Sequence, residues 1–328
     1  NSVKRRLGFS KSSARSQGIL KVRIETLDLI IIVAYLIGIV AFGLFASRRE
    51  KNTISDYFLA GRTLGWPIIG MALFATNIST VHLVGLASSG YKDGLVFGNF
   101  EWLATFCLIL LGIVFAPFYF RSRVATLPEY LERRYSPASR MVVAVMAICG
   151  AMFIHIGVSL YAGATIIERF FGLDPLLSIL VISIATTIYT VAGGLKAVVV
   201  TEALQTVLLL IGAVIITICG ISALADQGIT TYAEFAQAAK PRQLSMLHAD
   251  GDYAWYAMLL GYPVLGIWYW CADQTIVQRV LGARTQRDAQ IGPLFAGFIK
   301  ILPVFLMVLP GVIAYVLFHD LIGDDPDQ

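Results

Sequence analysis

Six ionisable side chains sit inside or at the edge of long apolar runs in this sequence: His82, Glu101, His155, Glu202, Asp273 and Lys300. A charged group at the centre of a membrane helix costs about 2.5–3.5 kcal/mol on insertion scales, so such residues usually face a bundle interior. The cysteines, Cys107, Cys149, Cys219 and Cys271, fall in apolar segments without a CxxC spacing and read as core thiols. Nothing in this pattern marks a redox or nucleophilic site. The chemistry left is binding: hydrogen bonds and charge offered to a polar cargo.

Each position also has a plainer reading. His155 stands alone in an apolar run and fits a packing histidine. Glu202, shortly after Gly193 and Gly194, fits helix-dipole stabilisation at a helix start. Lys300 lies nine residues into its run, where it either snorkels or finds an interior partner. Pro293, Pro303 and Pro310 are read as kinks.

The runs that hold these residues dominate the chain. Of 328 residues, 57% are hydrophobic and 14% charged, against roughly 25% charged in soluble domains. The mean hydropathy is +0.75. No soluble core absorbs so much apolar surface, and the same figures exclude a disordered chain, collagen, a coiled coil and a small disulfide scaffold. The charge balance, 25 Lys+Arg minus 21 Asp+Glu or +4, is too mild to point to nucleic acid. The composition predicts an all-α polytopic membrane protein of the plasma or inner membrane, with the lipid bilayer as its solvent.

A helix crosses a bilayer with about 20 mostly apolar residues. Eight runs qualify: 27–46, 66–90, 95–120, 141–167, 176–195, 197–225, 254–272 and 291–318. Loops on one side carry thirteen Lys/Arg between Arg48 and Arg287, and those on the other only Lys92, Arg169, Lys240 and Arg242. The positive-inside rule makes the first set cytoplasmic, although the seven cations of the tail point the other way. The expected organisation is a polar basic tail over 1–26, a transmembrane domain over 27–318, and the start of an external loop over 319–328. Within the long outer loop 226–252, a short surface helix is expected near 231–239. A first residue that is Asn and an end just after an apolar run lead to the expectation that one or both termini continue.

Two runs look irregular. The second packs Thr76, Asn77, Ser79, Thr80, His82, Ser88 and Ser89 into FATNISTVHLVGLASSG (74–90). Such side chains compete for backbone hydrogen bonds. A break there would free carbonyls for a cation, as in transporters with discontinuous helices; alternatively, the residues glue neighbouring helices together. In the seventh run Gly261, Pro263 and Gly266 precede Trp268, Tyr269 and Trp270. This predicts either an interruption or an interfacial aromatic belt.

Four motifs then resemble one family. GGLKAVVVTEALQ (193–205), TLPEYLERRY (126–135), the stretch 74–90 and YWCADQTIVQR (269–279) are similar, in order, to the solute:sodium symporter family, the last especially to its sodium–glucose cotransporter branch. The resemblance implies the leucine-transporter-like inverted-repeat fold. Run one would be an extra first helix, runs two to six the first five-helix repeat, and the last two the start of the second repeat. It implies sodium as the transported coupling ion, with Ala75 and Ile78 matching two backbone-carbonyl donors, while the helix bearing the hydroxyl donors is absent. It also implies a sugar pocket lined by His82, Glu101, Tyr269, Trp270 and Lys300. Tyr269 would be the inner gate, with Asn77 near the outer mouth. Gly266 stands where family members carry a polar side chain.

A ring of hydroxyls with apolar faces suits such a set. Glu101 accepts, Lys300 donates, His82 does either, and an aromatic ring stacks. The implied function is sodium-coupled uptake of a glucose- or galactose-like hexose by alternating access, through a pocket expected to be wet. The alternatives are the same fold carrying myo-inositol, proline or an organic acid, and a transporter-like sensor with a downstream module. An enzyme is not expected.

Overall fold

The structure, a computed structural model, describes residues 26–47 and 53–323. The basic tail through residue 25, the cations Arg48, Arg49 and Lys51 of the loop expected to be cytoplasmic, and residues 324–328 lie outside the described residues. Among the described residues the secondary structure is helical. Only two isolated bridges, Leu64 to Ala283 and His248 to Ala254, pair extended backbone.

Helix α1 (Thr26–Ser47) is the first span, and the short α2 (Ile54–Leu59) follows, capped by Thr53. The second span is two helices. α3 (Trp66–Asn77) carries Pro67 in its first turn, where a missing amide is tolerated. It stops at Ile78 and Ser79, both extended, and α4 (Thr80–Lys92) departs at 60°. The local Ser, Thr and Asn content therefore makes a break, rather than gluing a straight helix to its neighbours.

α5 (Gly94–Ser122) runs through a π turn at Leu111–Phe115. α6 (Leu127–Arg134) and α7 (Pro137–Phe171) come next, started by the capping hydroxyls of Thr126 and Ser136. α8 (Pro175–Asp226) has 52 residues, a length of about 78 Å if straight. That exceeds twice the hydrocarbon core of about 30 Å. Gly194 divides it, with φ 57° and ψ −161°, a conformation essentially reserved for glycine. A Cβ at this point would stand 2.8 Å from the Tyr57 carbonyl oxygen. The fifth and sixth spans meet there, close to the expected boundary.

The short helix α9 (Tyr232–Ala238), in the loop expected to be external, begins with a capping box between Thr231 and Glu234. α10 (Trp255–Ile267) continues through Pro263 and ends in a π turn at Trp268–Ala272. The irregularity of the seventh span thus falls on its aromatic run, beyond the Gly and Pro residues. Trp268 is 52% exposed, as a belt residue would be, but Trp270 is 2% exposed. After α11 (Gln274–Leu281), the eighth span runs from Gln286 to Ile322 as one membrane-length helix. Its segments α12 (Gln286–Ile299) and α13 (Leu309–Ile322) are joined by a tightened turn at Lys300–Leu302 and a π turn at Val304–Val308, with the backbone staying helical at Lys300 and Pro303. Pro303 thus sits at a local distortion of a continuous helix, in keeping with the kink expected of it.

Among the described residues, five helices are long and apolar enough to cross a membrane, or six with the bent α3–α4 pair. Dividing α8 at Gly194 and counting α10 with its π turn recovers the eight expected spans. The most apolar window of α7 buries none of its residues and that of α1 only 11%, so lipid is the natural solvent for both faces.

Two clusters form the core. The larger joins Ile69, Leu73, Leu108, Leu111, Trp270 and Ile276. The smaller gathers Phe74, Ile78, Leu86, Ile299, Met307 and Val308, from the two sides of the α3–α4 break and from the distorted stretch of the eighth span. At the basic end the sequence motifs bind one another. Leu127 N donates to Gln274 Oε1 at 2.8 Å, and Gln278 Nε2 donates to the Phe58 carbonyl at 2.6 Å. Glu129 anchors the same corner: burial pulls its carboxyl pKa upward, but the Ala125 amide and Arg133 outweigh that and hold it below the usual range.

Candidate functional site

The break in the second span meets the distorted turn of the eighth. Asn77 is the last residue of α3 and Lys300 the first beyond α12. Lys300 Nζ donates to Asn77 Oδ1, and also to Glu101 Oε2 on α5 at 2.6 Å. Asn77 Nδ2 donates in turn to the Tyr269 hydroxyl at 3.3 Å. The ammonium lies 5.5 Å from the Trp270 ring centre and 5.7 Å from that of Phe74, within cation–π range. Tyr269 and Trp270 meet edge to face, their centroids 5.1 Å apart.

Five of the six residues expected to line the pocket are therefore one network, contributed by four spans. Asn77, expected near an outer mouth, is at its centre. His82 does not join it by a hydrogen bond: one turn beyond the break, its Nδ1 lies 3.4 Å from Ser79 Oγ, with Lys300 and Glu101 as its charged neighbours. The pocket is also drier than expected. Glu101 is 4% exposed and Lys300 fully buried, so in this conformation each polar group is satisfied by another. Such mutual satisfaction is what keeps a buried ion pair tolerable.

Lys300 neither snorkels nor ends a helix at an interface; it is a partnered interior lysine. Tyr262 is a neighbour that the sequence reading passed over. Its hydroxyl accepts the Trp270 Nε1 proton at 3.4 Å. The signal was its helical spacing from Gly266 and Tyr269 on one face of α10.

On the other side of the break lies a cavity of ≈ 890 Å³. Ala75, Ile78 and Ser79 line it together with Tyr189, Glu202 and Thr206 of α8. Ending α3 at Asn77 leaves its last carbonyls without intrahelical donors, apart from Phe74 O, which accepts from Ile78 N. The two residues expected to offer carbonyls to sodium thus border a hollow.

Glu202 is not a helix-start carboxylate. It lies about two turns beyond the Gly194 kink, past the first turn where the helix dipole acts, and accepts from Arg279 Nε at 3.1 Å and Nη2 at 2.5 Å, with Thr76 Oγ1 3.4 Å away. This forked pair fastens α8 to α11. His155 approaches Asp273, Nε2 to Oδ2 3.9 Å, while Asp273 caps α11 through Thr275 N. Among the described residues no cluster of three His, Cys, Asp or Glu side chains is placed to hold a metal ion.

Comparison with known proteins follows the same lines. Residues 57–327 match the sodium:solute symporter family. The chain is 36% identical over 314 residues to sodium/glucose cotransporter 1 of Ovis aries, covering 89% of this chain and 47% of that protein. It is 38% identical over 312 residues to sodium/myo-inositol cotransporter 2 of Mus musculus, covering 90% and 46% respectively. The chain spans about half the length of these relatives. A solved structure of a Na+-coupled sialic acid symporter, substrate-bound and outward-open, superimposes with a TM-score of 0.80 at 24% identity, over 90% of this chain and 62% of that one. That likeness is one of fold.

Proposed function

The chain belongs to the sodium:solute symporter family, with that family's leucine-transporter-like fold and membrane location, and we propose that it carries the solute-binding network and sodium-binding carbonyls of a sodium-coupled sugar symporter working by alternating access. Its family is one of transporters, not enzymes. The observation that supports the reading is the Asn77–Lys300–Glu101 network beside Tyr269 and Trp270. A ring polyol needs a carboxylate acceptor, a cationic donor and an aromatic platform, and all three are within one network.

A sugar entering this site exchanges its hydroxyls for the contacts the residues now make with each other. Glu101 accepts from a hydroxyl, Lys300 and Asn77 donate, and Tyr269 and Trp270 cover the ring. His82, one turn away, turns from Ser79 to a hydroxyl. Hydrogen bonds to charged groups contribute about 1.5–3 kcal/mol, against about 0.5–1.5 for neutral ones, so Glu101 and Lys300 dominate. Sodium binds the carbonyls of Ala75 and Ile78 and holds the break that places Asn77. One sodium ion crossing 100 mV releases about 2.3 kcal/mol, and a tenfold gradient about 1.4 more. Together these hold a sugar several hundred-fold concentrated.

Myo-inositol is the second reading, favoured by the 38% identity to a sodium/myo-inositol cotransporter. Both solutes are ring polyols and draw on the same groups. Competition uptake by the full-length protein in proteoliposomes separates them. Under a sodium gradient, labelled hexose should accumulate and be displaced by unlabelled hexose well below the concentration of myo-inositol required. The reverse order would make the solute inositol, and no uptake of either would reject a polyol.

A further inference from the structure

The pocket face of α10 carries one more polar group than the motif that follows it. Tyr262, Gly266, Tyr269 and Trp270 recur at helical spacing and share a face. A Cβ at Gly266 would come within 2.6 Å of the Tyr262 ring and 2.8 Å of Cys107 Sγ. The missing side chain is therefore what lets the Tyr262 ring lie against the helix backbone. Its centroid is 6.1 Å from that of Phe100, on the helix that bears Glu101. The hydroxyl reaches Trp270 Nε1, and Glu101 and Tyr269 are among its titratable neighbours.

The direction of that hydrogen bond decides what the hydroxyl has left to offer. An indole N–H only donates, so the Tyr262 oxygen accepts, and a phenol that accepts keeps its own proton to give. A purely structural tyrosine would need only its ring here, since ring packing against Gly266, Cys107 and Phe100 is satisfied by phenylalanine too. Among the polar groups of the network, this donor has no charge and a fixed position.

We propose that Tyr262 is a substrate-contacting specificity residue: its hydroxyl, held by the Trp270 indole over the space Gly266 leaves, donates to one hydroxyl of the ring polyol bound against Tyr269 and Trp270. The proposal rests on the polyol reading above and adds to it the group that selects among polyols. The donor recognises one ring position, so it discriminates between sugars that differ there.

The test is a cycle between Tyr262→Phe and a series of monodeoxy hexoses, measured as sodium-driven uptake by the full-length protein. Tyr262→Phe should raise the KM for the parent hexose about two- to twelve-fold, the range for one neutral hydrogen bond. It should leave the KM of one monodeoxy analogue unchanged, because that analogue already lacks the partner hydroxyl. Equal shifts for the parent and every analogue, or no shift at all, would overturn the proposal. So would loss of the Phe variant from the membrane, measured by surface abundance, since the hydroxyl would then serve folding. If the wild-type protein takes up inositol instead, the same cycle on deoxyinositols decides Tyr262 while correcting the solute. A wild-type protein that takes up no ring polyol overturns both readings, and that failure shows before any variant is made.

Discussion

Lys300 Nζ donates to Asn77 Oδ1 and so ties the broken end of α3 to the tightened turn inside the eighth span. α3 stops at Asn77 and α12 at Ile299, both at the level of the Phe74–Ile299–Val308 cluster. The polar network is thus a joint between the first repeat and the helices that begin the second. A solute that rearranges it acts on both.

The buried pair gives the first expected outcome. Glu101→Gln or Lys300→Ala leaves a partner charge without its counterion in a sealed site, and each should destabilise the protein by about 3–5 kcal/mol. The double variant Glu101→Gln/Lys300→Met should recover most of that loss in thermal unfolding. All three should lose hexose affinity by at least about 1.5–3 kcal/mol. A double variant that binds hexose normally would make the pair structural and leave the sugar reading without its main support.

A parallel case lies toward the basic end. Glu202 and Arg279 are both nearly sealed, with side chains 17% and 9% exposed. Arg279→Ala should loosen α11 from α8 and lower stability by a similar amount, about 3–5 kcal/mol. Glu202→Gln/Arg279→Gln should restore part of it. Thermal unfolding in detergent measures both, and equal stability of Arg279→Ala and wild type would dissolve the pair's structural role.

Gly194 carries a backbone prediction. Alanine there meets the Tyr57 carbonyl at 2.8 Å and a conformation that side chains avoid, so Gly194→Ala should cost about 1–3 kcal/mol from strain alone. Gly212 is a control on the same helix, where an added Cβ meets nothing within 4 Å. Gly212→Ala should be neutral or stabilising, and a matching loss at both positions would remove the hinge at 194.

Much of this was legible in the sequence. The apolar runs located the spans because membrane helices must satisfy their backbone internally. The Ser, Thr and Asn content of 74–90 marked the break. Pro303 announces a kink, and the distortion at Lys300–Val308 falls beside it, but a proline signals a lost hydrogen bond and not the tightened and π turns that surround it. Glu202 was misread for a similar reason: its neighbours in sequence suggested a helix start, whereas its partner, Arg279, is 77 residues away. Tyr262 escaped because an aromatic in an apolar run looks like packing until its hydroxyl is seen against Trp270.

Orientation is open to a direct check. Ala138, exposed at the start of α7 beside the cations of α6, should be cytoplasmic by the positive-inside rule. Ala138→Cys should resist an impermeant maleimide added to intact cells and react once they are opened. Labelling from outside would invert the topology.

Sodium binding at the break is proposed to drive a polyol through the network around Asn77 and Lys300. Uptake of labelled hexose into proteoliposomes holding the full-length protein tests it most directly, with an inward sodium gradient exchanged for an equal potassium gradient. Accumulation above the external concentration in sodium, collapsing to passive equilibration in potassium, is the predicted result. Equal accumulation in both ions would contradict the account.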